Sequence, residues 1–179
     1  MRSVCIFCGS KSGIRKEYTE SARLIGQLLV KNNIAMVYGG ATNGLMGTVA
    51  DSMMEAGGTV IGVIPTMIAD RELAHKNISE LHIVSSMSER KTKMLELSDA
   101  FITLPGGVGS MDEMFEVLAF THLGVNEKLV GVLNVLGFYD SLLTYVDHAV
   151  AEGFIPEHVR AQIIVDTDAE RLLTSMKLV

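Results

Sequence analysis

Residues 104–116 read Leu104-Pro105-Gly106-Gly107-Val108-Gly109-Ser110-Met111-Asp112-Glu113-Met114-Phe115-Glu116. An apolar run from Ala100 to Leu104 reads as a buried strand. Pro105 and three glycines end it, and a helical pattern begins at Ser110. A glycine-rich turn from strand to helix leaves backbone N–H groups free and points them, with the helix dipole, at one spot. That geometry receives a phosphate. Glu113 then stands as a carboxylate on the first turn beside such a site. Ser110-x-x-Glu113 is equally a capping box, in which Glu113 would only bond the Ser110 N–H. Asp112 and Glu116 read as solvated or paired carboxylates.

Arg90, Lys91 and Lys93 form a second cluster. Ser86 and Glu89 make a capping box, so a helix is expected to start at Met87. Arg90 and Lys91 then fall in its first two turns, where cations oppose the helix dipole at a cost of a few tenths of a kcal/mol. Two explanations stay open: a solvated basic face with a local Glu89–Lys93 pair, or an anionic partner that offsets the placement.

Three glycine-bearing turns follow strand patterns: Cys8-Gly9-Ser10, Tyr38-Gly39-Gly40 and Pro105-Gly106-Gly107. One such turn carries little weight, because glycine also serves tight turns for steric reasons. Three on one sheet edge point to a phosphate-bearing ligand. No Gly-x-x-x-x-Gly-Lys-Ser/Thr is present, and Gly39-Gly40-x-x-x-Gly44-x-x-Gly47 lacks the dinucleotide spacing. A P-loop NTPase and a nicotinamide dehydrogenase are thereby disfavoured.

The elements that must hold these turns alternate along the chain. Strands are expected at Val4–Cys8, Ile34–Tyr38, Thr59–Ile64, Leu81–Val84, Asp99–Leu104 and Leu129–Leu133, with a weaker one at Ile163–Val165. Helices are expected at Arg15–Lys31, Leu45–Ala56, Met87–Leu97, Ser110–Leu123, Tyr139–Ala151 and near Asp168–Met176. Pro65–Ser79 reads as an irregular, mobile flap. Apolar strands separated by helices predict an α/β fold, a Rossmann-like doubly wound parallel sheet of about seven strands with helices on both faces. Ligands of such sheets bind beyond the carboxyl ends of the strands.

Other candidates carry less chemistry. Cys5-Ile6-Phe7-Cys8 is formally a C-x-x-C, but on a strand positions three apart face opposite sides. The five histidines, His75 among them, show no metal-ligand spacing. Met53, Met54, Met87, Met94, Met111 and Met114 recur at helical spacings and read as core, with one or two able to line an adaptable pocket. The 179 residues are expected to form one domain, residues 1–179. A net charge of −6 argues against a nucleic-acid partner. The apolar runs fall far short of a membrane span. Two cysteines and the absence of a visible signal segment predict a reducing, cytoplasmic setting.

Pro105-Gly106-Gly107-Val108-Gly109-Ser110-Met111-Asp112-Glu113 resembles the PGGxGTxxE signature of the LONELY GUY (LOG) family, cytokinin riboside 5′-monophosphate phosphoribohydrolases often labelled lysine decarboxylases. Val4–Ser10, Val37–Gly40, Gly44–Gly47, Ile61–Pro65, Met87–Lys91, Ser98–Phe101 and Gly131–Val135 resemble further family segments. The resemblance implies hydrolysis of purine nucleoside 5′-monophosphates to free base and ribose 5-phosphate; no cofactor is expected, and no metal, since no ligand cluster is apparent in the sequence. Arg90 and Glu113 take the family's catalytic positions. The resemblance puts substrate contacts on Glu72, Lys91 and the Gly107–Glu113 turn, and together with the glycine turns the candidate substrate- and phosphate-binding residues are Gly9, Ser10, Gly39, Gly40, Glu72, Met87, Lys91, Gly106, Gly107, Val108, Gly109 and Ser110. The resemblance also implies a homodimer acting on a small-molecule nucleotide. Ser110 replaces the usual Thr and keeps the hydroxyl. Ala119-Phe120 stands where many members have Thr-Trp, a difference that bears on the base pocket. A non-catalytic nucleotide carrier on the same fold is the competing function.

Overall fold

A computed structural model describes residues 2–69 and 74–179. The strands are β1 (Ser3–Phe7), β2 (Ala35–Tyr38), β3 (Val60–Pro65), β4 (Glu80–Val84), β5 (Ala100–Thr103), β6 (Val130–Leu133) and β7 (Ile163–Asp166). The helices are α1 (Lys16–Lys31), α2 (Gly44–Glu55), α3 (Thr66–Ala69), α4 (Met87–Glu96), α5 (Val108–His122), α6 (Asp140–Ala151), α7 (Glu157–Ala161) and α8 (Ala169–Ser175). The seven strands of the described residues form one sheet of order β4-β3-β2-β1-β5-β6-β7. Every pairing is parallel. The expected doubly wound fold is therefore the observed one.

Central strands β1, β2, β5 and β6 are nearly or wholly buried, whereas edge strand β7 is mostly half-buried and edge strand β4 is half-buried or exposed at all but Val84. That explains why β7 gave the weaker apolar signal. One core cluster packs α1, α2 and α8 on one face through Ile25, Leu29, Leu45, Met53 and Leu172. The other packs α4 to α7 on the opposite face through Met94, Met114, Val117, Val146 and Val159. Cys8 belongs to the first cluster and Cys5 to the second, as strand alternation requires. Each fully buried Val, Leu, Ile or Phe contributes about 1.5–3 kcal/mol. The two clusters therefore hold the carboxyl edge rigid from both sides.

Two local expectations are corrected. Helix α5 begins at Val108 rather than Ser110, because Gly107 is the extended N-cap residue (φ −102°, ψ −151°). The flap carries the short helix α3 and a bridge between Ala41 and Ala74, so it is not irregular throughout. Glu72 lies outside the described residues. Helix α7, with Pro156 as its N-cap, escaped the sequence reading because five residues are too few to show a helical period.

Candidate active site

The strand order turns outward in both directions from β1 and β5, so the topological switch point lies between them. The turns that follow these strands touch. Gly9 N–H donates to the Pro105 carbonyl at 3.1 Å, and Leu104 N–H donates to the Phe7 carbonyl at 2.8 Å. Phe7 and Phe101 stack at 5.7 Å between ring centroids and brace the two strand ends. On the far side of β5, the buried Tyr139 hydroxyl donates to the Leu104 carbonyl at 2.7 Å and fixes the start of the Pro105 turn. Nothing in the sequence pattern singled out Tyr139 for this.

A cleft of about 200 Å³ opens at this point. Gly9, Ser10, Met87, Arg90, Gly107, Val108, Gly109, Ser110 and Glu113 line it, joined by Cys8, Met46, Ile68 and Asp112. Starts of three helices meet here: Met46 in α2, Met87 in α4 and Val108 in α5. Gly107 has no side chain to cap α5. The first N–H groups of that helix have no intrahelical acceptor, and they border the cleft. Ser110 is buried, and a Cβ on Gly106 would overlap its hydroxyl. With Gly107 as the N-cap, Ser110 lies inside α5 and does not cap it.

The capping-box reading of Glu113 is thereby overturned. Ser110 sits inside the helix, and Glu113, one turn deeper, pairs instead with Arg90 at 3.3 Å. The two side chains are only 11% and 12% exposed. The separation is longer than the 2.7–2.9 Å of a tight charge-assisted bond. Burial is the main cause that pushes the Glu113 carboxyl up, to about 7. Arg90 opposes the shift, Asp112 and Glu116 add to it, and Lys91 opposes it again. The result is a carboxyl poised between its acid and base forms near neutral pH.

Helix α4 delivers Arg90. Ser86 Oγ accepts from Glu89 N–H at 3.1 Å, half of the expected capping box. The Glu89 carboxylate bonds Ser85, not Ser86, at 2.8 Å to the backbone and 2.6 Å to the hydroxyl. The cation near this N-terminus has its anionic partner in Glu113. Arg90 rests on Gly39, where a Cβ would overlap Nη2, and its Nε has no protein partner. Gly39 therefore serves the site from behind rather than lining it. Gly40, at φ +78°, continues the same turn.

Lys91 does not line the cleft. Its ammonium pairs with Asp112 at 3.0 Å and Glu116 at 3.4 Å, tying α4 to α5. Burial acts to lower its pKa, but hydrogen bonds and charge from those carboxylates outweigh it and hold Lys91 above its usual range. Gly106 lines a neighbouring depression with Lys11, Tyr18 and Phe138. Phe120 closes a small space behind Glu113 with Phe7 and Lys91.

A family model described as "possible lysine decarboxylase" matches residues 46–176. A probable cytokinin riboside 5′-monophosphate phosphoribohydrolase of Oryza sativa subsp. japonica is 47% identical over 98% of this chain and 78% of its own length. The cytokinin riboside 5′-monophosphate phosphoribohydrolase of Rhodococcoides fascians is 44% identical over 98% of this chain and 89% of its own. The chain belongs to the LONELY GUY family. In LONELY GUY terms, the PGGxGTxxE segment forms the Pro105 turn and the first two turns of α5, and the Arg-Lys pair begins the second turn of α4. The molybdenum cofactor binding protein of Rippkaea orientalis superposes with a TM-score of 0.74 at 18% identity, over 99% of this chain and 96% of that one. At that identity the likeness is one of fold alone.

Proposed function

We propose that this chain hydrolyses the N-glycosidic bond of purine nucleoside 5′-monophosphates, releasing free base and ribose 5-phosphate. The observation that carries the reading is the buried Arg90–Glu113 pair beside the uncapped start of α5. Breaking the C1′–N bond sends its electron pair to the base and develops cationic charge on the ribose. An ionised Glu113 stabilises that charge and orients or deprotonates the water whose oxygen bonds to C1′. Arg90 holds the carboxylate in place or binds anionic oxygens of the substrate. The N–H groups of Val108, Gly109 and Ser110 receive the 5′-phosphate, and binding there fixes the sugar against Glu113. A screen of nucleoside 5′-monophosphates that reads free base and ribose 5-phosphate tests the assignment. Binding without release of base by any purine monophosphate would favour the carrier instead.

The lysine decarboxylase in the family model's description is not supported by the cleft. No lysine is among the described residues that line it, so none is placed there to form a Schiff base. Among the described residues, no group of three or more His, Cys, Asp or Glu side chains is gathered to hold a metal. EDTA is expected to leave turnover unchanged, and a rate lost to chelator and restored by a divalent metal would contradict the mechanism. No helix of the described residues is long and apolar enough to cross a membrane. A cytoplasmic, single-domain enzyme is the setting this reading fits.

The pH profile follows from Glu113. Its ionised form is the active one, so kcat is expected to rise with pH through a midpoint near 7. A rate already flat from pH 5 upward would contradict that role. The working unit is read as a homodimer. An apolar groove of about 360 Å³ runs between α5, α6 and α7, bordered by Leu123 and Phe154 at 68% and 83% exposure. A second copy would cover such surface by twofold pairing. Activity is expected to fall on dilution, and light scattering from a fully active 19.4 kDa monomer would refute the pairing.

A further inference from the structure

We propose that His75 is a positioning residue for the Arg90–Glu113 site, clamped to Asp51 so that it holds the Gly39–Gly40 turn under the Arg90 guanidinium. The inference rests on the hydrolytic reading of that site.

His75 is a buried imidazole, 5% exposed, outside the cleft. Its Nε2 lies 3.0 Å from Asp51 Oδ1 on α2. The Asn77 N–H faces Nδ1 at 3.4 Å. With Nδ1 the acceptor, Nε2 carries the proton and donates to Asp51. The backbone of the same residue is committed elsewhere: His75 N–H donates to the Gly40 carbonyl at 2.9 Å. Next to it, Ala74 bridges Ala41. One residue thus joins three parts of the fold: the end of β2, helix α2 and the chain returning toward β4.

The consequence reaches the cleft through Gly39. Arg90 packs directly on that residue, and Met46 lies 3.2 Å from where its Cβ would stand. Gly40 is itself confined at φ +78°, with Ile64 and Leu81 close beneath. On its other side the turn is held by the His75 N–H bond to the Gly40 carbonyl. Releasing His75 lets the turn, and with it the guanidinium, move relative to Glu113. Displacements of an ångström far from the reacting atoms can cost about a hundredfold in rate.

The test compares His75→Ala, His75→Gln, Asp51→Ala and Asp51→Asn in the full chain, assayed on AMP well below each variant's melting temperature. His75→Ala and Asp51→Ala are each expected to lose about ten- to hundredfold in kcat. His75→Gln should recover most of it, because its amide N–H can still donate to Asp51. Asp51→Asn should also recover it, because its oxygen still accepts. The midpoint of the pH–rate profile should move above that of the wild type in both alanine variants, since Arg90 then holds the Glu113 proton off less well. The double alanine variant should be no slower than either single one. Unchanged kcat and an unmoved midpoint in the alanine variants, with only a lower melting temperature, would overturn the inference. So would a fully active Asp51→Ala if His75→Ala does not fold, because the Asp51 side chain is largely exposed and its truncation opens no cavity in the core. A wild type that does not cleave AMP or any purine monophosphate would instead refute the hydrolytic reading.

Discussion

Glu113→Gln is expected to lower kcat on purine 5′-monophosphates by on the order of a thousandfold while nucleotide still binds. The amide keeps the size of the carboxyl and an oxygen for Arg90 Nη2, now 3.3 Å away. What it removes is the charge that faces the developing cation. Stability should respond in a direction that can be stated. The folded-state pKa of Glu113 is raised from 4.5 to about 7. Below pH 4.5 the group is protonated in both folded and unfolded chains and contributes no penalty. Between 4.5 and 7 the folded chain retains a proton that the unfolded chain releases, so stability falls as pH rises through that window. Gln removes this dependence. Above pH 7 the variant is relieved of that penalty, in which the Arg90 attraction is already counted, so it should melt no earlier than the wild type. Kinetics and thermal melting at pH 6 and 8 check both halves. An active variant that melts early at both pH values would return Glu113 to a purely structural role.

Adenosine is expected to be turned over with a kcat/KM at least about a hundredfold below that of AMP. The 5′-phosphate is remote from the bond that breaks, yet its contacts at the start of α5 fix the sugar. Two charge-assisted hydrogen bonds of about 1.5 kcal/mol each amount to ~3 kcal/mol, a factor of about a hundred. The difference should appear in kcat as well as KM, because binding energy from the remote group is used to orient the reacting centre. Parallel assays of the nucleoside and its 5′-monophosphate decide it. Equal turnover of the two would remove the phosphate role from Gly107–Ser110.

Much of this protein was legible in the chain because the relevant signals are local. Apolar runs set the strands, and Pro105, Gly106 and Gly107 set the turn that opens the site. The turns after β1, β2 and β5 share one edge because the sheet is parallel, and its parallel character follows from the helix between each pair of strands. The resemblance of segments 87–91 and 105–113 to one family pointed to Arg90 and Glu113 together, although they stand 23 positions apart. Their partnership was a different matter. Locally, Ser110-x-x-Glu113 satisfied the rules of a capping box, and nothing within the helix argued otherwise. Packing decided it: Gly107 took the N-cap, Ser110 turned toward Gly106, and Glu113 met a guanidinium brought by another helix. The shifted acidity of Glu113 was likewise invisible, because burial is a property of the assembled core. His75 looked like a lone histidine for the same reason. Its partners at Gly40 and Asp51 lie 35 and 24 positions away, and only the parallel sheet and its α2 crossover bring them within hydrogen-bonding distance. Sequence determined which elements form and what chemistry stands at their ends; tertiary packing decided which charged groups meet and how far from water they do so.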